Sequence, residues 1–330
     1  MSLEALRPHL FTLPDRPDWV PYRTSYYTES WGFCLSRRQL DALGPGDYEV
    51  CIDSSLEPGS LTYGEVYLPG ESTNEVLISA HVCHPSLAND NLSGVIIAAH
   101  LAQLLDQVSR RYSYRFLFAP GTIGAITWLA RNEAASQSIR HGFVLAGLGD
   151  AGRLTYKKSR WGNATIDRAA THVLQGLGDH AIVDFSPYGY DERQFCSPGF
   201  DLPVGRLSRT PPGASVEYHT SADNLQFVHA PKLAAALTAC LGIVDVLERD
   251  RTYVNQSPKC EPQLGTRGLY HAVGGPANAH ADELAMLWVL NLSDGQHSLL
   301  DVAERSGLGF SEIARAAAVL QDHSLLKERP

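Results

Sequence analysis

The sequence predicts an α/β protein, a doubly wound and mostly parallel sheet followed by a small C-terminal helical unit. Three observations predict it. Short β-branched or alternating runs bounded by Gly, Pro and Ser alternate with helix-length apolar stretches between residues 48 and 255. A Pro- and Gly-rich connector follows. The remaining residues, 281–330, divide into three short helical patterns joined by tight turns. With 330 residues, 44% hydrophobic and 19% charged, the chain can bury one large core and leave a small second unit.

Taken in order, "YEVCIDSSL" (48–56), "LTYGEVYLPG" (61–70) and "EVLISAHVC" (75–83) read as three successive strands. "DNLSGVIIAAHLAQLLDQ" has helical length and spacing, "YRFLFAP" (114–120) is a strand, "TIGAITWLARNEAA" a helix and "HGFVLAGLGD" (141–150) another strand. A helix over 163–175, a strand in "DLPVGRLS" and a closing helix, "PKLAAALTACLGIVDVLERD" (231–250), complete a domain over residues 1–255. The connector occupies 256–280. "ADELAMLWVLNL", "SLLDVAERSG" and "FSEIARAAAVLQDHSLL" then predict a winged-helix-like unit over 281–330.

Charge narrows the partners. The formal net charge is −9, and residues 281–330 alone carry eight acidic against four basic side chains. Phosphate neutralisation needs clustered Lys and Arg, so nucleic acid and anionic membrane are not expected partners, and the C-terminal unit is expected to pack or to form a homo-oligomer contact. The most apolar stretches, such as "SGVIIAAHLAQLL", are too short to span a bilayer. Six cysteines (Cys34, Cys51, Cys83, Cys196, Cys240, Cys260) lack CxxC spacing and no secretory leader is visible, which predicts reduced thiols and a cytoplasmic location.

"HVCHPSLANDNLSG" (81–94) packs two histidines, a thiol, a carboxylate and two carboxamides between a strand and a helix. Ligands of open α/β sheets bind beyond the carboxyl ends of the strands. There "EVLISA" leads to His81, His84 and Asp90, "GFVLAGLG" leads to Asp150, and "SVEYHTSADN" supplies Glu217, His219 and Asp223. Imidazole and carboxylate groups arriving from separate strand ends suit a catalytic zinc, which needs three protein ligands and one open position. A literal Gly-x-Gly-x-x-Gly over Gly147, Gly149 and Gly152 is set aside. A dinucleotide site requires a helix to start at once, whereas "RLTYKKSR" reads as extended and Asp150 would face the phosphates.

"EVLISAHVCHPSLANDNLSG", "LAGLGD", "DERQFCSPGF" with the following "LPVG", and "EYHTSADNL" resemble an aminopeptidase-like bacterial family with a C-terminal winged helix. That family is related to the co-catalytic zinc aminopeptidases and the zinc glutaminyl cyclases. The similarity runs from "VPYRTSYYTESWGFCLS" to the C-terminus, and the chain looks like a shortened member. The resemblance implies a doubly wound sheet of zinc-aminopeptidase type, with Asp90 as the carboxylate that bridges two metals and Asp150 and His219 as ligands of one metal each. The clan's strand-then-"AH" pattern points to His81 as the first ligand; the family's own "CHP" points to His84.

The paired glutamates of such enzymes, one a general base and one a ligand, are replaced here by Gly121 and Thr122. One zinc is therefore expected rather than two, with the base drawn from elsewhere. "DERQFC" offers Glu192 as base, Asp191 as its orienter and Arg193 as a substrate contact. A loop carboxylate is ordinarily solvated or paired, and Cys83 is more simply a packing residue than a nucleophile. The function expected is zinc-dependent hydrolysis of the amide bond in a small peptide or metabolite. Deacylase and glutaminyl-cyclase-like activities share such a site, and a metal-retaining binding protein is the non-enzymatic alternative.

Overall fold

The alternating runs form a seven-stranded sheet in the computed structural model, which describes residues 1–25, 28–211, 213–270 and 279–329. Its strands are β1 (Gly64–Leu68), β2 (Glu75–His81), β3 (Ser113–Ala119), β4 (Ile139–Leu145), β5 (Leu154–Lys157), β6 (His180–Val183) and β7 (Val204–Ser208), in the order β1-β3-β2-β4-β7-β5-β6. β3, β2, β4 and β7 run parallel, while β1 on β3 and β5 on β7 are antiparallel. All seven residues of β2 are buried, as a parallel strand covered on both faces requires, and its apolar run reflects that.

Helices α1 (Ser93–Asp106) and α2 (Ile123–Arg131) follow β2 and β3. α1 buries Ile97, Ala98, Leu101 and Leu105, one stripe at helical spacing. Trp128 of α2 packs with Leu77, Leu117, Val144, Phe195 and Val204. Burial of such side chains supplies roughly 1.5–3 kcal/mol each.

Two expectations are corrected here. Residues 48–56 form no strand: 51–60 are exposed throughout, and β-branched residues favour a strand only where a pleated face is buried. A segment long and apolar enough to span a bilayer does exist, Ala230–Arg249 (α4), with a mean hydropathy of 1.6. It buries Ala236, Ala239, Cys240, Ile243 and Leu247, the stripe of a core helix.

The chain divides into two compact units, Met1–Gly162 with Ala181–Leu237, and Asn163–His180 with Thr238–Pro330. The second contains α3 (Thr165–Gly176), whose Arg168 pairs with Asp301 and Glu304. It also contains a winged-helix arrangement of α5 (Ala279–Leu292), α6 (Leu299–Ser306) and α7 (Phe310–Asp322). Its sheet joins β8 (Thr252–Asn255) to β9 (Asp294–Ser298) and β10 (Leu326–Glu328), both antiparallel. Ser298 and Asp301 form a capping box that starts α6. Of the connector, residues 271–278 lie outside those described.

Candidate metal centre

The loop between β2 and α1 is sewn to the segment after β4 by alternate side chains. Asn89 accepts from the Gly149 N–H at 2.7 Å and donates to Asp150 Oδ2 at 3.0 Å. Asn91 accepts from Gly147 N–H at 3.0 Å and donates to the Leu145 carbonyl at 2.9 Å. The Ser93 hydroxyl accepts from Leu148 N–H at 2.9 Å and donates to the Asn89 carbonyl at 2.6 Å. Asp223 adds a clamp, its two oxygens accepting the Asn89 and Asp90 N–H groups at 2.6 and 2.9 Å. These contacts fix the backbone on both sides of Asp90, and the Asp90–Asn91 peptide is cis.

The Asp90 carboxylate, 4% exposed, is the hub. Oδ1 lies 2.7 Å from His81 Nε2 and accepts the Tyr190 hydroxyl at 3.1 Å. Oδ2 lies 3.3 Å from His84 Nδ1 and 3.2 Å from His219 Nε2. Donor atoms of His84, Asp90 and His219 all fall within 4.8 Å of one another, and a second such group joins His81, Cys83 and His84. Asp90 Oδ2 and His219 Nε2 are buried without a hydrogen-bond partner. Two unsatisfied polar atoms converging in a buried place are costly unless a cation joins them. Two imidazoles and one carboxylate are a donor set that fits zinc.

The electrostatics favour metal-ready protonation. Burial raises the Asp90 pKa, but the His219, His81 and His84 imidazoles outweigh it and hold the carboxyl well below its usual range. Burial lowers His84, joined by His219 and His81 and opposed by Asp90, so its neutral, ligating form extends to more acid pH. Burial pushes the Cys83 thiol up to about 11, which suits packing and not nucleophilic attack.

Of the residues singled out from sequence, His84, Asp90 and His219 come together, and His81 stands against the other oxygen of Asp90. Two others have their carboxylates engaged by different partners. Asp150 belongs to neither donor group among the described residues; its carboxylate is taken by Asn89, by Gly152 N–H at 2.7 Å and by the Thr210 hydroxyl at 2.7 Å. Glu192 is fully buried, its Oε1 held by Lys157 Nζ at 2.9 Å and an Arg206 nitrogen at 3.2 Å and its Oε2 accepting the Tyr190 N–H at 3.0 Å, so both oxygens are engaged within the protein. Its neighbour Asp191 is also fully buried, accepts Thr122 N–H at 2.6 Å through Oδ1 and keeps Oδ2 unpartnered. Burial raises Asp191 to about 6. Arg193 is half-buried with Nε unpartnered.

Three tyrosines escaped the sequence reading. Tyr190 stacks on His81 at 4.4 Å, Tyr218 stacks on His219 at 3.9 Å, and Tyr22 meets His84 edge-on at 4.9 Å. The first two adjoin the residues that were chosen, in "GYDE" and "EYHT", which is the signal that could have found them. At the position of the missing glutamates, a Cβ on Gly121 would lie 3.3 Å from Cys83 Sγ, so the thiol occupies the space a longer side chain would enter.

Fold and donor set together define an aminopeptidase-like α/β domain with a C-terminal winged helix. Residues 11–250 match the model of a domain of unknown function, DUF4910, and 251–328 match a winged helix-turn-helix model. The chain belongs to the DUF4910 family. It is 50% identical over 328 residues, 99% of its length, to a Clostridium acetobutylicum protein named for polysaccharide biosynthesis and an aminopeptidase-like domain, covering 75% of that protein. The crystal structure of a candidate peptidase from C. acetobutylicum superimposes with a TM-score of 0.94 at 49% identity, over 100% of this chain and 75% of that one. A Bacillus subtilis zinc aminopeptidase gives a TM-score of 0.47 at 18% identity, over 56% of this chain and 49% of that one.

Proposed function

We propose that the protein is a single-zinc amide hydrolase in which His84, Asp90 and His219 hold the metal. The observation that carries this reading is the pair of unsatisfied buried atoms, Asp90 Oδ2 and His219 Nε2, facing each other beside His84. Zinc bound there would supply Lewis acidity toward the scissile carbonyl and bring the pKa of a coordinated water toward ~7. His81 and Tyr190 fix the other oxygen of Asp90, the outer contacts that orient a ligating carboxylate. Asp191 takes the base's role. Besides Asp90 it is the one carboxylate with a buried, unpartnered oxygen among the described residues, and its raised pKa suits an acceptor that must return its proton.

The substrate class proposed is a small amide-containing metabolite or peptide, without nucleic acid or membrane. The polysaccharide-biosynthesis name of the C. acetobutylicum relative supports looking among N-acylated sugars. Gly121 and Thr122, in place of paired glutamates, favour a second reading, a binding protein that retains metal without turnover. Metal analysis tests the common ground. Near one zinc per chain is expected, falling by most of that amount in His84→Ala and His219→Ala while the fold persists; near zero in the unaltered protein removes the metal reading.

A further inference from the structure

Beside Asp90 lies a small, partly open pocket. It has a volume of about 30 Å³ and is lined on one side by Asp90 and on the others by Ala146, Tyr190, Pro211, Tyr218 and Phe227. By the room a water needs, this holds about one to two heavy atoms. The rest of its lining is polar, from Asn89, Thr210, Ser215 and Asp223, and those polar atoms are already engaged. The Tyr190 and Tyr218 hydroxyls lie 3.0 Å from each other, the Thr210 hydroxyl is held by Asp150, and both Asp223 oxygens hold backbone N–H groups. The Ser215 hydroxyl donates to Glu217. No carboxylate lining the pocket, among the described residues, has an oxygen free of both its hydrogen-bond partners and the metal group.

We propose that this pocket is the acyl subsite of the hydrolase and that it selects a short N-acyl group of the acetyl class. The inference rests on the zinc-hydrolase reading above and deepens it. An acetyl methyl matches the space; a leucyl or hexanoyl chain exceeds a volume of about 30 Å³ bounded by Tyr190, Tyr218 and Phe227. An aminoacyl group would bring an ammonium, and the carboxylates that line the pocket are committed, Asp90 to the metal group and Asp223 to the Asn89 and Asp90 N–H groups, so an N-acetylated amine fits better than an aminoacyl peptide. In the reaction, water oxygen bonds to the acetyl carbon as the C–N bond breaks, and a water proton passes to the departing nitrogen. The products are acetate and a free amine.

The test measures binding, independently of turnover. Zinc-loaded protein is titrated by calorimetry with acetohydroxamate, hexanohydroxamate and alanine hydroxamate. Their metal-binding ends are alike, and their acyl ends differ. Acetohydroxamate should bind best, hexanohydroxamate at least about 10-fold more weakly, the lower end of what one excluded methylene is worth. Alanine hydroxamate should show no advantage. Phe227→Ala, which removes a wall and touches no ligand, should reverse the chain-length order with zinc content unchanged. Tighter binding of the longer acyl chain by the unaltered protein overturns the subsite, and tighter binding of the alanine derivative overturns the acetyl class. Failure of every hydroxamate to bind protein that holds zinc overturns the hydrolase reading, and the subsite with it.

Discussion

Asp191 and Glu192 are adjacent carboxylates on one turn, Glu192–Phe195 being a single helical turn with Asp191 at its N-cap, and their surroundings give them different work. Glu192 is neutralised by Lys157 and Arg206, so Glu192→Gln should act on stability. Breaking a buried pair leaves an uncompensated cation and costs about 3–5 kcal/mol, read as a lower urea midpoint. Asp191→Asn keeps the volume and should retain zinc while lowering turnover by about 100- to 10,000-fold. With Asp191 raised to about 6, its basic form predominates above that pH, so activity should climb as pH rises through about 6 and the limb should vanish in Asp191→Asn. An unchanged limb assigns it to another group. The sequence points to Glu192 of this turn as the base, whereas the proposal made from the geometry falls on its neighbour Asp191. Spacing cannot say which of two neighbours meets Lys157 and Arg206, which lie 35 and 14 residues away from Glu192.

At the scale of elements, the turn from β3 into α2 is held in an uncommon shape. Thr122 has φ +64° and ψ −65°, Ile123 N–H reaches the Gly121 carbonyl at 2.8 Å, and Thr122 N–H donates to Asp191. This is a γ-turn with positive φ, which costs a β-branched residue on the order of 1–3 kcal/mol. Thr122→Gly keeps the N–H and relieves the strain against a backbone-entropy cost of about 0.5–1 kcal/mol. A net gain of about 1 kcal/mol, some 2–4 °C in Tm by calorimetry, is expected; a lower Tm would mean that the Thr122 side chain itself holds the turn. The sequence marks this position only by lacking glutamates. Strands β2, β3, β4 and β7 were legible because buried parallel strands read as apolar runs, whereas half-buried His180–Val183 offered no such run. The metal-site loop was legible as a motif. The hydrogen-bond partners of Asp150 were not, because Asn89 and Thr210, which meet its carboxylate, lie about 60 residues away along the chain.

For the whole molecule, fold class followed from alternation of element types, a property summed over many residues and insensitive to any one of them. The response of stability to pH is also a sum, and the term of one buried histidine can be isolated from it. His141 of β4 is pushed down to about 4, by burial first and then by Arg111 and Arg140, and its Nδ1 is buried without a hydrogen-bond partner. In the unfolded chain this histidine takes a proton below about 6.5, while in the fold it resists until about 4. The unfolded state therefore binds more protons in that window, and stability falls as pH drops from about 6.5 to about 4, by up to about 3 kcal/mol from this residue. Asp191, raised to about 6, and Glu75, raised by burial to about 7, act in the opposite sense, each losing stability as pH rises from its unfolded value through its folded one. Asp90, held low, adds a loss only at more acid pH. The difference between His141→Gln and the unaltered protein isolates the first term, since the carboxylates are common to both. In urea unfolding of the metal-free proteins, the stability of the unaltered protein relative to His141→Gln should fall by up to about 3 kcal/mol between about pH 6.5 and about pH 4. Parallel curves would show that His141 accepts its proton in the fold as readily as in the unfolded chain.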